Sequence, residues 1–359
     1  MHADQNGSKL RAAEVGWGIF TLLACAQFTV RYVWRNESFL DLPAYANGTG
    51  MMPYQGRVLM SWVLKATAAN PRWSGVLTHL GAHLPEALRS PYSVTLLIVT
   101  FLAMLVCILA GRATLQQLTG NKTFSMWASL LLLYMSYFNL VVGYGVYLLP
   151  YDIISLTLFV VSVWLVIAKR YAALTLVVAV GTLNRETIIF IPLFLALHTW
   201  FEQRYATSAT EVRSLPWVRV APYVAAQVFI WIAMRMWIEH HFRNNPLEMS
   251  MPTRWFGIRL FGNLRSLTKP PQWALLLSLF GFTLPLFVAK FGSIGNRALA
   301  HSTAIVMGLW ALAMLLVGVV IEIRIFSELT AFLMPCIALI IWNEWIRPAQ
   351  LYRASERPV

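Results

Sequence analysis

Polar and charged side chains set inside apolar sequence are the residues with chemical potential in this chain. Residues 181–187 read Gly-Thr-Leu-Asn-Arg-Glu-Thr, which sets Asn184, Arg185 and Glu186 side by side between apolar runs at 171–182 and 188–201. Hydrocarbon offers such groups no partners, so at bilayer depth they must face one another or a polar cavity. Either the stretch is an exposed turn between two membrane helices, or it is a helix break whose polar groups point inward. Other polar groups recur along the chain: Glu37 and Asp41, Gln55 and Arg57, Tyr151 and Asp152, then Glu322 and Arg324 with Glu328 close behind. Carboxylates of this kind can take a proton from a hydroxyl or ligate a divalent cation. Arginines can hold phosphate oxygens, and Arg57 opens a helix whose first backbone N–H groups could assist it.

On these grounds Asp41, Glu37, Asp152 and Glu186 are the candidate catalytic residues. Gln55, Arg57, Tyr151, Asn184, Arg185, Glu322 and Arg324 are the candidate substrate and phosphate ligands. Each group has a plainer alternative. Asp41 and Glu37 can be solvated loop acids, Arg57 an interfacial arginine with its head in water, and Asp152–Arg185 a structural ion pair. Residues 322–328 can be a charge cluster that ends a span.

The elements that must carry these residues are membrane helices. Hydrophobic residues make up 58% of the 359 and charged residues only 12%, which excludes an ordinary soluble domain. The expected fold is an all-α polytopic membrane protein with about eight full spans, near 15–34, 92–110, 123–142, 151–168, 221–239, 272–289, 302–321 and 326–342. Residues 171–201 add a broken or re-entrant pair, and 56–69 and 73–89 read as amphipathic interfacial helices in the first outer loop. The first run is longer than a signal-peptide core and lacks a small-residue cleavage site, so it reads as a retained span. Residues 1–346 form one transmembrane domain, and 347–359 a short basic tail.

The formal charge of +13 comes from Lys and Arg at span ends and in loops, where they set orientation and meet anionic lipid. No interleaved basic and aromatic surface is visible, so nucleic acid is not an expected partner. Cys25, Cys107 and Cys336 lie in apolar runs without metal-ligand spacing and read as inert thiols. His79, His83, His240 and His241 make no ligand spacing either, and Arg235 within its span reads as snorkelling outward. No metal site is assigned and no cofactor is implied outright, although the acids are compatible with a divalent cation.

The short basic stretches are the N-terminus with Lys9 and Arg11, 111–122, Lys169-Arg170, 202–220 with Arg204, Arg213 and Arg219, 290–301, and the tail with Arg347, Arg353 and Arg357. All lie on one side, the cytoplasmic one, only if 171–201 enters and leaves by that side. Each arm of about 12–14 residues spans roughly 18–21 Å, too short for about 30 Å of hydrocarbon. Segments 35–91, 143–150, 240–271 (with Arg254) and 322–326 then share the outer side with the apex at 184–186.

The chain resembles bacterial multi-spanning proteins related to the GT-C glycosyltransferases, which use polyprenyl-phosphate sugars. The resemblance rests on Asp41 in the first outer loop, Tyr54-Gln55-Gly56-Arg57, Tyr151-Asp152, Asn184-Arg185-Glu186-Thr187 and Glu322-Ile323-Arg324. The usual acidic dipeptide of the first loop is replaced here by Glu37 and Asp41, four positions apart. What the resemblance implies is an inverting transfer of sugar from a polyprenyl-phosphate donor to an acceptor outside the bacterial inner membrane. Asp41 would take the acceptor's proton, and Arg57, Arg185 and Arg324 would stabilise the departing phosphate. Glu186 and Asp152 would orient those arginines. Two other classes share these features: a transporter or flippase for a lipid-linked or anionic solute, and a polysaccharide polymerase or ligase.

Single cysteines test the predicted sidedness in intact cells. An impermeant thiol reagent should label Gly48→Cys, Tyr147→Cys and Gly262→Cys but not Ser208→Cys; labelling at 208 with silence at 262 would mean that 171–201 crosses the membrane.

Overall fold

The protein is described from a computed structural model that covers residues 2–142, 147–206, 217–247 and 259–355. Of the residues named above, the loop positions 143–146 and Ser208, Arg213, Arg254 and Arg357 lie outside the described residues, as do the side chains of Lys9, Arg11, Glu37 and Arg353.

In chain order the helices begin with α1 (His2–Arg35), α2 (Leu42–Ala46), α3 (Val58–Ala66), α4 (Pro71–Gly81), α5 (Pro91–Thr119), α6 (Lys122–Ala128) and α7 (Leu131–Tyr137). There follow α8 (Asp152–Ile167), α9 (Tyr171–Asn184), α10 (Phe190–Tyr205) and α11 (Trp217–His241). The last are α12 (Leu260–Leu267), α13 (Pro270–Leu277), α14 (Leu284–Ala289), α15 (Arg297–Val317), α16 (Thr330–Ile341) and α17 (Arg347–Ser355). The short strands β1 (Glu37–Ser38) and β2 (Tyr147–Leu148) pair in parallel.

Six helical stretches among the described residues are long and apolar enough to cross a membrane: Ala12–Arg35, Pro91–Thr119, Lys122–Val142, Trp217–His241, Arg297–Val317 and Ile323–Tyr352. They match six of the expected spans. The connector expected over 111–122 is instead mostly helix. Gly120 in the left-handed conformation ends α5, and Asn121 caps α6 by accepting from Phe124 N–H at 2.9 Å, so two residues make the turn.

The other two expected spans take different forms. Helix α8 has only 16 residues, about 24 Å of rise. The stretch expected as a span over 272–289 is broken, because Phe280, Gly281 and Phe282 all have positive φ and Pro285 lacks a backbone donor. Side chains take up the freed backbone groups: Phe280 N–H donates to the buried Asn139 Oδ1 at 2.9 Å, and the Tyr134 hydroxyl donates to the Gly281 carbonyl at 3.0 Å. The Tyr134 ring lies so close that no side chain fits at Gly281.

The helix ends sort into two sets. At the basic end, Lys122 and Arg112 meet Glu14, Lys169 meets Glu202, and Lys290 meets Glu344. At the loop end, Asn36 donates to the Leu140 carbonyl at 2.9 Å, and Asn245 reaches the carbonyls of Gly48 and Gly50. Asn263 there donates to the carbonyls of Leu315 and Gly318 at the top of α15.

Against this frame α9 and α10 form a hairpin. Arg185 is extended, with φ −161° and ψ 143°, and stops the helix after Asn184. Lys169 Nζ lies 3.6 Å from Glu202 Oε1, which ties the start of one arm to the end of the other at the basic end. The arms of 14 and 16 residues rise about 21 and 24 Å. The break expected within 171–201 is therefore observed, as a hairpin within the bundle. A rigid aromatic cluster of Phe159, Phe190, Phe194, Trp310 and Phe332 packs α8, α10, α15 and α16 together about two turns along α8 from the apex.

Gly181 makes the apex possible, because a β-carbon there would sit 2.6 Å from Ile188 Cγ1. Ordinarily Gly→Ala inside a helix stabilises by about 1 kcal/mol. Here Gly181→Ala should lower the unfolding midpoint in detergent by the equivalent of about 1–3 kcal/mol, and adding Ile188→Ala should recover part of the loss.

Candidate functional site

The site is assembled from four chain segments at the loop end. Arg57 precedes α3, Tyr151 and Asp152 begin α8, Asn184 to Glu186 form the hairpin apex, and Glu322 to Glu328 occupy the 3₁₀ segment before α16. Each lies at a helix start or break, where backbone groups are open to new partners.

At the centre is Arg185. Its Nη1 donates to Glu328 Oε1 at 2.6 Å and to Asp152 Oδ1 at 3.2 Å, and both carboxylates are fully buried. Glu328 also accepts from Ser155 at 3.0 Å, from Thr187 at 3.5 Å and from Ser327 at 3.3 Å. Asp152 presents its other oxygen to Arg324 Nη1 at 3.6 Å, and Arg324 Nη2 donates to Glu322 at 2.7 Å. Nearer the mouth, Arg57 makes two contacts to Glu186, Nη2 to Oε1 at 2.9 Å and Nε to Oε2 at 3.4 Å. Arg57 also donates to the Tyr151 hydroxyl and lies 4.4 Å from that ring's centroid. Asn184 donates to the Tyr151 carbonyl at 3.1 Å, which ties the apex to the start of α8.

Burial grades this network. The Asp152 and Glu328 side chains have no exposure, whereas Glu322 is 23% and Glu186 37% exposed. Three arginines (Arg57, Arg185, Arg324) face four carboxylates (Asp152, Glu186, Glu322, Glu328), so the cluster carries no surplus of positive charge. Arg185 Nε and Arg324 Nε and Nη1 have no hydrogen-bond partner among the described residues and remain as buried donors. An anion can be held here if a rim carboxylate swings away, and Glu186 and Glu322 are the ones with room to do so.

Most of the sequence-predicted residues come together, but some do not. Gln55 is fully buried and braces its own loop, accepting from Gly50 N–H at 2.9 Å and donating to Ser61 Oγ at 3.3 Å, so both ends of its amide are engaged within the loop. Asp41 is exposed and caps α2 through Ala44 N–H at 3.1 Å; no hydrogen bond or ion pair joins it to the arginines among the described residues. Glu37 contributes its backbone to β1. Arg235 does not snorkel outward, because its Nη1 donates to the Gly56 carbonyl at 3.3 Å beside Glu239.

Sequence reasoning left three site residues out of the candidate set. Glu328 pairs with Arg185, and Ser155 and Thr187 donate to Glu328. Two signals bear on them: Glu328 is the acid that follows Arg324 into an apolar helix, and Ser155 lies one turn from Asp152 on the same face. No three His, Cys, Asp or Glu side chains among the described residues are arranged to hold a metal ion. The sequence-level allowance for a divalent cation lacks a donor set there, because Asp152 and Glu328 turn their oxygens to arginine. The three cysteines are buried.

No protein-family model, no curated protein and no solved structure matches the chain.

Removing one partner of the central cluster strands a buried charge. Arg185→Met and Glu328→Ala should each cost about 3–5 kcal/mol, against about 0.5–2 kcal/mol for Asp41→Ala at an exposed cap. Denaturation in a single detergent would give the ranking.

Proposed function

We propose that the protein is a GT-C-like membrane glycosyltransferase, moving a sugar from a polyprenyl-phosphate donor to an acceptor at the loop end of the bundle. The observation that carries this reading is the gathering of Arg57, Arg185 and Arg324 beside two displaceable carboxylates. The surface helices α3 and α4, with Trp62, Trp73, Val76 and Leu80 exposed, give that end an apolar shoulder suited to a lipid chain.

In the proposed reaction the donor phosphate takes the place of Glu186 on Arg57 and of Glu322 on Arg324. The acceptor hydroxyl attacks the anomeric carbon, the bond from that carbon to the phosphate oxygen breaks, and the oxygen leaves with the electron pair. The arginines meet the charge that develops on it. Asp41, exposed and without an ion pair among the described residues, takes the hydroxyl proton. The native setting is a bacterial inner membrane with both termini cytoplasmic, the short basic segments inside. The chain then crosses about eight times, with α8 and the broken stretch Pro270–Ala289 counted as crossings.

A transporter is the second reading, favoured by the two discontinuous elements at Tyr171–Tyr205 and Pro270–Ala289. Sugar transfer in detergent micelles separates the two, because transport needs two compartments. Arg57→Gln and Arg324→Gln should each reduce transfer about 10²–10³-fold, and Asp41→Asn should do the same. Uptake into proteoliposomes without any turnover in micelles would replace the enzyme by the transporter.

A further inference from the structure

Helix α11 is largely exposed for an element that reaches the site. Val218, Phe229, Ile232, Met236 and Trp237 are exposed along it, a surface suited to lipid. Lipid provides no hydrophobic force to press such a helix onto its neighbours, so its rotation must be set by specific contacts. Gln227, Trp231, Arg235 and Glu239 supply them, because spacing of four puts all four on one face. Gln227 Nε2 donates to Thr175 Oγ1 at 3.2 Å, Trp231 Nε1 to the Glu186 carbonyl at 2.8 Å, and Arg235 Nη1 to the Gly56 carbonyl at 3.3 Å. Glu239 completes the ladder 3.8 Å from Arg235.

The two middle rungs matter most. Glu186 and Arg57 form the two-contact pair at the mouth of the site, and Trp231 and Arg235 hold the backbone of Glu186 itself and of the residue before Arg57. Gly56 ends a 3₁₀ turn, where carbonyls lack intrahelical donors, and Glu186 opens another just after the break at Arg185. An indole N–H and a guanidinium one turn apart thus span the two chain segments that supply the pair.

We propose that Trp231 and Arg235 are positioning residues that fix the distance between Arg57 and Glu186, with α11 acting as the adjustable wall of the site. The proposal rests on this site being the functional one and is independent of which substrate enters it. Movement of α11 along its lipid face shifts both rungs together. Opening the pair frees Arg57 for an anion, and closing it returns Glu186 to Arg57.

Segment-resolved hydrogen exchange of the full chain in lipid nanodiscs tests this without any sugar donor, so its outcome is separate from that of the transfer assay. Trp231→Phe keeps an aromatic ring and removes the donor. It should speed exchange about tenfold in peptides covering 184–190 and leave the arms of the hairpin unchanged. Arg235→Met should do the same for 54–60, and Arg235→Lys should restore part of the protection. Unchanged exchange in both segments would overturn the proposal. A uniform rise across α8 to α11 would also overturn it, because Trp231 would then be a packing residue only.

Discussion

Arg185 and its two fully buried carboxylates impose the constraint from which the rest of the architecture follows. In a low-dielectric interior an unpaired charge is costly, and the attraction that offsets the cost acts only at contact distance. Asp152 begins α8, Arg185 breaks the hairpin and Glu328 ends a 3₁₀ segment, so keeping them in contact holds three distant parts of the chain together. Ser155, Thr187 and Ser327 supply the remaining hydrogen bonds of Glu328. The aromatic cluster about two turns away clamps the same helices.

Irregular backbone gathers around this centre. A π turn at Phe138–Val142, the left-handed stretch at 280–282 and the 3₁₀ segment Ile323–Leu329 are linked through Asn139, which accepts from Phe280 N–H and donates to Thr330 at 3.4 Å. Non-helical backbone is tolerated at such depth only where protein groups satisfy it. Asn139 and Tyr134 do so at 280–281, and Trp231 does so at Glu186. The breaks are therefore supported features, and they allow polar side chains to turn inward where a continuous helix would carry them round.

The network is fully buried at its centre and partly exposed at its rim. The Asp152 and Glu328 side chains have no exposed surface, whereas Glu186 and Glu322 are partly exposed and each pairs with an arginine that an incoming anion could share. Exchange of one anion for another on Arg57 or Arg324 keeps the charge balance of the interior, which simple addition of a phosphate would not.

Composition and periodicity alone determined the helical class, six of the long apolar helices, short helices after α1 and the break between the two arms of 171–201. These are legible because apolar length and the placement of Lys and Arg are local properties of the chain. The convergence of Arg57, Tyr151, Asp152, Arg185, Glu186 and Arg324 also follows from the sequence, since a charge set among apolar helices must find a partner. Only tertiary structure decided which partner each one takes. Glu328 reads locally as one of several acids at a span end, yet packing of the segment 323–329 against α8 makes it the strongest contact of Arg185. Gln55 reads as a ligand beside Arg57, but the turn at 50–56 closes on both its polar ends. Arg235 reads as snorkelling, and α11 turns it to a carbonyl instead. Hydrophobicity tells a residue how deep to lie; the direction in which it points depends on helix rotation and on breaks, which contacts between distant segments set.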